Sequence, residues 1–420
     1  MLIIKSIHIE GIWGYKKINC NLHRNVNILI GKNGIGKTTI LNLLSSAINV
    51  DIETLHNISF DKLTINFYDE NDSNSKITFE IKRFMKNERP MISYEFTGID
   101  IPKQNITKES DSITRYLLKR RINTLINLTW LSINRKNIRR YHTNTNEQPE
   151  IDKRLEELFA HIQDYYYKLM SRSMELNQQF KSDVINLFLY DKDIDDTPTF
   201  ATLESIKEEN IDKNDLINMF FSLGLSNEAI KTKIETHLEM IEKAKKEILT
   251  SETSPLDSTN TLNDSSTKII SLYLRTRGML NAYHRSQEKT EENYALLNKY
   301  LKLLGDFMKD KKFSLSSETD GKLSIEVTDE NQNDKYKLNY KDLSSGEKQI
   351  LILLTEALLQ QGKQYIYLAD EPEMSLHMNW QEIIIDALIQ LNKNAQIIVA
   401  THSPEIAQDW NEMIIDLNQL

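Results

Sequence analysis

Residues 31–38 read Gly-Lys-Asn-Gly-Ile-Gly-Lys-Thr, between the apolar run "NVNILI" and a helical run that begins near Lys37. The pattern G-x-x-x-x-G-K-[ST] demands a strand end, a turn of bare backbone and a helix start, in that order. Glycines leave backbone N–H groups free to wrap a phosphate chain. The candidate cradle residues are Asn33, Gly34, Gly36, Lys37, Thr38 and Thr39. Lys37 is placed to reach the β- and γ-phosphates, and the Thr38 hydroxyl to ligate Mg²⁺. The pattern points to an α/β sheet around a nucleotide, with a plain Gly-rich turn as the alternative.

Three further runs fit that demand. "YIYLADEP" is an apolar strand ending in Asp370 and Glu371. Asp370 is suited to hold Mg²⁺ through water, and Glu371 to polarise the water that attacks the γ-phosphate. Alone, such a pair is an ordinary solvated turn; beside a phosphate loop it is a candidate catalytic pair. The next apolar run ends in "ATHSP", which puts His402 at a neighbouring strand tip. "YKDLSSGEKQILILL" sets small residues, Ser345 and Gly346, ahead of an apolar helix, where bare N–H groups attract an anion.

In this order the runs resemble the ATP-binding cassette (ABC) and SMC class of ATPases. "LSSGEKQ" matches the signature of that class, with Ser345, Gly346 and Glu347 at its core. The resemblance implies an ABC-type α/β head that takes ATP and Mg²⁺. It implies Glu371 and His402 as catalytic groups, and Thr38 and Asp370 as metal ligands. It also implies that the signature of one subunit closes over ATP held by another, so the chain would form a homodimer or larger homo-oligomer. "DEPEMSLHMNWQ", residues 370–381, is similar to the D-E-P-E-x-x-L-H-P-x-W-Q run of OLD-family anti-phage ATPases, with Met378 in place of proline. "LTWLSINRKN" stands where that class carries a metal-sensing glutamine, and has none. Trp13 and Tyr15 are candidates for an adenine contact or for core packing.

The rest of the chain reads as two parts of one head around a helical insertion. Residues 1–104 hold alternating strands after the loop, residues 105–311 are mostly helical, and residues 312–420 return to strands and helices. Leu155, Leu158, Phe159, Ile162, Tyr166 and Leu169 mark one apolar helix face. Ile234, Leu238, Ile241 and Ile248 mark another at heptad-like spacing. The polar run "TSETSPLDSTNTLNDSST" reads as the tip loop between two antiparallel, short coiled-coil-like arms.

Composition excludes several classes. A single cysteine, Cys20, leaves no disulfide and no Cys-rich metal site. No apolar run is long enough to cross a bilayer, and the N-terminus lacks a signal peptide's core, so a cytoplasmic protein is expected. A net charge of −9 argues against a basic coat, though not against a local patch. Such a patch runs from Lys119, Arg120 and Arg121 to Arg135, Lys136, Arg139, Arg140 and His142. It is readable as a DNA contact or as a solvated stretch of the ATPase. OLD nucleases carry a TOPRIM domain after the ATPase, and no such domain is expected in the ten residues beyond Trp410.

The expectation is an ATPase that senses or scaffolds within an anti-phage system, as stand-alone subunits do in PARIS and Septu. A separate effector, a nuclease by that resemblance, would do the damage, triggered by DNA or a phage protein. The alternatives are a repair ATPase of the RecF or SMC kind and, from another class, a transporter's nucleotide-binding subunit. Roughly 300 residues between loop and signature is long for the transporter class.

Overall fold

The computed structural model describes residues 1–68, 77–86, 89–107, 110, 112–132, 149–189, 191, 194, 211–225, 227–251, 264–328 and 335–419. Of the basic stretch, Arg135, Lys136, Arg139, Arg140 and His142 lie outside them, as does the core of the tip loop, residues 252–263. The side chain of Ile248 is outside as well. The fold is α/β, as the phosphate loop requires.

The chain begins with β1 (Ile3–Ile12), β2 (Lys16–Asn21) and β3 (Val26–Ile30), then α1 (Lys37–Asn49) and α2 (Ile52–Asn57). Next come β4 (Lys62–Tyr68), β5 (Ile77–Lys86), β6 (Arg89–Thr97), β7 (Gln104–Ile106), α3 (Ser112–Asn123) and β8 (Leu128–Ser132). The helical middle contains α4 (Glu150–Asn186), α5 (Lys213–Ser222), α6 (Glu228–Ser251) and α7 (Asp264–Phe307). After it follow β9 (Lys311–Ser314), β10 (Ser324–Thr328), β11 (Lys335–Leu338), α8 (Ser345–Leu359), β12 (Tyr365–Asp370), α9 (Met378–Leu391), β13 (Ala395–Ala400), α10 (Pro404–Ala407) and β14 (Ile414–Asp416).

Among the described residues three sheets result. An antiparallel sheet runs β2-β1-β4-β5-β6-β7, and a small one runs β11-β10-β9. The third, β14-β3-β13-β12-β8, is parallel throughout. A parallel sheet needs cover on both faces, so its strands read as unbroken apolar runs. All six residues of β13 are buried. The α1 side chains Ile40, Leu41 and Leu44 share one core with Ile7, Ile9, Leu63 and Ile65 of the antiparallel sheet and with Ile366, Leu368 and Ile398 of the parallel one. The buried Gln396 side chain ties the sheets together. It accepts from the Ile4 N–H at 2.8 Å and donates to the Ile4 carbonyl at 2.7 Å.

Register decides where the site must lie. Asp370 pairs with Ala400 and Ser132, and Ala400 pairs with Leu29, so β3, β12 and β13 end together. Ligands of such sheets bind beyond the carboxyl ends of the strands.

The chain splits into two compact units, residues 1–166 with 296–420 and residues 167–295. The head therefore reaches past residue 104, where the sequence pattern set the start of the insertion. The cause is β8, whose "LTWLS" pairs with β12, together with α3, whose Leu118 and Ile122 are buried in the head core. In the second unit, Phe180, Val184, Leu216, Met219 and Ile234 form a core with Met279 and Leu280. The expected arm face is present there: Ile234 and Ile241 are buried, and Leu238 packs beside the same core.

Candidate ATP site

The phosphate loop connects β3 to α1, and α1 begins without a side-chain cap. Its N-cap, Gly36, has φ 110, in a region that a side chain rarely adopts. A Cβ there would also lie 3.1 Å from the Trp13 ring. Gly34 has φ 80 with open space where a Cβ would stand. The first N–H groups of α1 thus follow a turn of backbone without side chains, which a phosphate chain fits.

Lys37 is buried, 5% exposed, and its Nζ donates to the Gly31 carbonyl at 2.8 Å. The same Nζ lies 3.4 Å from His402 Nδ1. Burial holds the Lys37 pKa below its ordinary value, against the opposing pull of Glu371, Asp370 and Glu373. The Thr38 hydroxyl donates to Asp370 Oδ1 at 3.0 Å. Burial raises the Asp370 carboxyl, and Glu371 and Glu373 add to it, while Thr38 and Lys37 oppose. This is a desolvated carboxylate short of positive charge beside a hydroxyl oxygen. The hard-oxygen pair fits Mg²⁺, which takes one or two protein ligands and keeps its waters. Among the described residues no group of three or more His, Cys, Asp or Glu could hold a metal by itself.

Glu371 follows with φ 48, a costly conformation for a non-glycine residue. Its N–H extends the β12 ladder to the Ala400 carbonyl at 2.8 Å, and its Oε1 lies 4.0 Å from His402 Nε2. The sequence pattern thus found residues that do assemble: Lys37, Thr38, Asp370, Glu371 and His402 meet at one sheet end.

It missed the residues beneath them. Glu373 Oε1 accepts the Thr401 hydroxyl at 2.5 Å and the His402 N–H at 3.1 Å, which fixes the turn carrying His402. Ser403 Oγ donates to Gln381 Oε1 at 2.7 Å, joining the same turn to α9. The adjoining "DEPE" and "THSP" runs were the available signal, but nothing in them states that Glu373 pairs with Thr401.

The signature lies at the start of α8. Its cap is Ser344, which accepts from the Glu347 N–H, while Glu347 Oε2 accepts from the Ser344 N–H at 2.8 Å. Glu347 Oε1 meets Lys311 Nζ at 2.8 Å. Burial alone would raise the Glu347 carboxyl, but Lys311 and Ser344 outweigh it and hold it below its ordinary value. Ser345 is exposed. Gly346 is buried so tightly against the Ser375 carbonyl that no Cβ would fit. Asn33 and Gly34 are exposed and Thr39 is half-buried. Tyr15 is exposed, whereas Trp13 stands over the loop at Gly36.

A family model for the AAA ATPase domain matches residues 2–407. The chain belongs to the AAA ATPase domain family. It is an ATPase by that family. A stretch of 41 residues is 46% identical to the Septu protein PtuA of Bacillus thuringiensis, covering 10% of each chain. Another of 80 residues is 39% identical to the retron Ec83 probable ATPase of Escherichia coli, covering 16% of this chain and 15% of that one. These matches therefore span less than a fifth of either relative. The Smc head domain of Pyrococcus furiosus, solved with an extended coiled coil, aligns with 99% of this chain and 93% of its own at 15% identity, TM-score 0.46. Among the described residues no helix is long and apolar enough to cross a membrane.

Proposed function

We propose that this ATPase is the sensing and regulatory subunit of an anti-phage defence system, acting in the cytoplasm and controlling a separate effector, with a nuclease the first class to test. The short matches to a Septu protein and a retron ATPase support that reading, as does the OLD-like run at residues 370–381. A trigger of DNA or phage protein belongs to the same reading.

The observation that carries the ATP chemistry is the joining of Lys37, Thr38, Asp370, Glu371 and His402 at one sheet end. Lys37 and the bare α1 N–H groups hold the β- and γ-phosphates. Thr38 and Asp370 would hold Mg²⁺, which when bound would neutralise charge building on the phosphates. Glu371 Oε1 takes the proton of the attacking water, and His402, fixed through Glu373, stands by the γ-phosphate. The exposed start of α8 supports a composite site, in which Ser345 of one subunit meets ATP held by another.

The test is phage challenge of cells carrying the gene with its native neighbours, scored beside ATP turnover of the purified protein. Ser345→Arg should keep ATP affinity, lose turnover and lose protection. Mixed with Lys37→Ala, it should recover only a fraction of turnover, from interfaces that pair two intact halves. Full turnover by the serine variant alone would rule out the composite site; protection that survives loss of turnover would rule out ATP-driven defence.

A further inference from the structure

The antiparallel sheet carries a second group of anion-seeking side chains, on strands that give nothing to the ATP site. Lys62 pairs with Lys82, Lys82 with Ser93 and Ser93 with Asn105, so one residue each from β4, β5, β6 and β7 stands in a single row. Directly paired residues share a face. The row borders a cavity of about 370 Å³, which Arg83, Lys103 and Asp61 also line. The alternate residues Leu63, Ile81 and Ile92 are buried in the core, so the row faces away from it.

Ser93 is the unusual member. It is 4% exposed, yet its hydroxyl has no hydrogen-bond partner among the described residues. Buried hydroxyls are rarely left so. The ammonium groups beside it only donate, so they cannot take its proton. An incoming group that brings acceptor oxygens would satisfy it.

Charge points the same way. Lys62 and Lys82 share one carboxylate, Glu80. Arg83 pairs with Ile92, so it leaves β5 on the opposite face, where its Nη1 donates to the Ile58 carbonyl at 2.9 Å. Lys103 is paired with Glu95 at 2.9 Å. At the row itself two ammonium groups stand against the one carboxylate of Glu80. Glu80 between the two directly opposed lysines leaves one positive charge over, which an incoming anion would take up. Hydroxyl, amide and ammonium donors spread over four strands suit a phosphoryl group, with three or more acceptor oxygens, better than a carboxylate with two.

We propose that this row is a phosphate-binding site separate from the nucleotide loop, taking the phosphoryl group of a small anion or of a nucleic-acid backbone. The proposal does not depend on the defence reading.

The test uses the full chain carrying Lys37→Ala, so that the ATP loop is silent. The probes are inorganic phosphate, followed by ³¹P line broadening, and a fluorescein-labelled single-stranded oligonucleotide, followed by anisotropy over a salt series. At least one should bind. Adding Lys62→Ala with Lys82→Ala should weaken that binding about tenfold or more and, for the oligonucleotide, lower the log–log salt slope by about 1 to 2. Ser93→Ala, which leaves every charge in place, should weaken it roughly threefold. Binding of phosphate alone assigns the site to small anions; binding of the oligonucleotide assigns it to a backbone. The lysine pair replaced in the otherwise native chain should leave ATP turnover without added probe unchanged. Failure of both probes to bind, or binding untouched by the lysine replacements, would overturn the proposal.

Discussion

The two helix starts that present themselves to phosphate, at α1 and at α8, are built in opposite ways. The α1 start has no side-chain cap, and its charged neighbours turn inward: Lys37 to Gly31 and His402, Thr38 to Asp370. The α8 start has a complete capping box, and its charged side chains pair with residues near the ends of the long helices. Lys348 meets Asp152 at 2.8 Å, Glu347 meets Lys311, Glu356 meets Arg154, and Thr355 shares a hydrogen bond of 2.8 Å with Tyr300. An uncapped, charge-lined start suits an anion. A capped one is stable alone and leaves Ser345 exposed, so on the proposed reading the first receives ATP within its own subunit, and the second is a joint whose outward face meets ATP held by another.

The hardest blow to this contrast would come from Glu371. Glu371→Gln keeps the shape and removes the proton acceptor, so turnover should fall about 10³-fold while ATP still binds. Calorimetry beside a phosphate-release assay measures both. Surviving turnover would place the catalytic carboxylate outside the inward-wired cluster.

Next comes the joint. The Lys348 and Asp152 side chains keep 11% and 7% of their surface exposed. Lys348→Met strands a nearly buried carboxylate and should cost about 2–3 kcal/mol in chemical denaturation, less than for a fully buried pair. Adding Asp152→Asn should recover much of that loss, with nucleotide affinity unchanged throughout. If the single variant is as stable as the native chain, the pair holds nothing together.

This contrast also explains what the sequence made legible. Loop, Asp-Glu pair and "THSP" are local runs with strands on their flanks, so their assembly at one sheet end followed from strand-helix order. The joint rests on partners such as Arg154 and Glu356, 202 positions apart, which no local pattern relates. β8 was hidden for the same reason. "LTWLS" is five residues beside a basic run, and it becomes a core strand only through its register with β12. Ser344 rather than Ser345 is the cap, because a capping box needs its acid three residues on, at Glu347.

A smaller effect tests the layer under the cluster. Thr401 is fully buried, and its hydroxyl donates to Glu373 and accepts the Ser403 N–H at 2.9 Å. Thr401→Val should lower turnover about tenfold by loosening the turn that carries His402, with little change in ATP affinity. Equal losses in affinity and turnover would mean that the turn serves binding instead.

The smallest effects carry the contrast into titration, because the two halves shift their carboxylates in opposite directions. Asp370 is raised, chiefly by burial, so its ionised form costs the nucleotide-free fold stability at neutral pH. That cost disappears as pH falls through the raised folded value toward the ordinary carboxylate range. Asp370→Asn keeps an acceptor for Thr38 and removes the charge, so it should raise the melting temperature by about 1–3 °C at pH 7. The gain should shrink in mild acid. Glu347 is lowered, because Lys311 and Ser344 outweigh its burial, so its ionised form contributes stability above the ordinary carboxylate range. That contribution is lost as pH falls through the depressed folded value. Glu347→Gln should therefore lower the melting temperature at pH 7 by a similar few degrees and cost nothing once the native carboxyl is protonated. Thermal scans of both variants against the native chain from pH 7 downward would show curves of opposite sign converging in acid. Two curves of the same sign would mean that cluster and joint are held by the same electrostatics, and the distinction between them would fail.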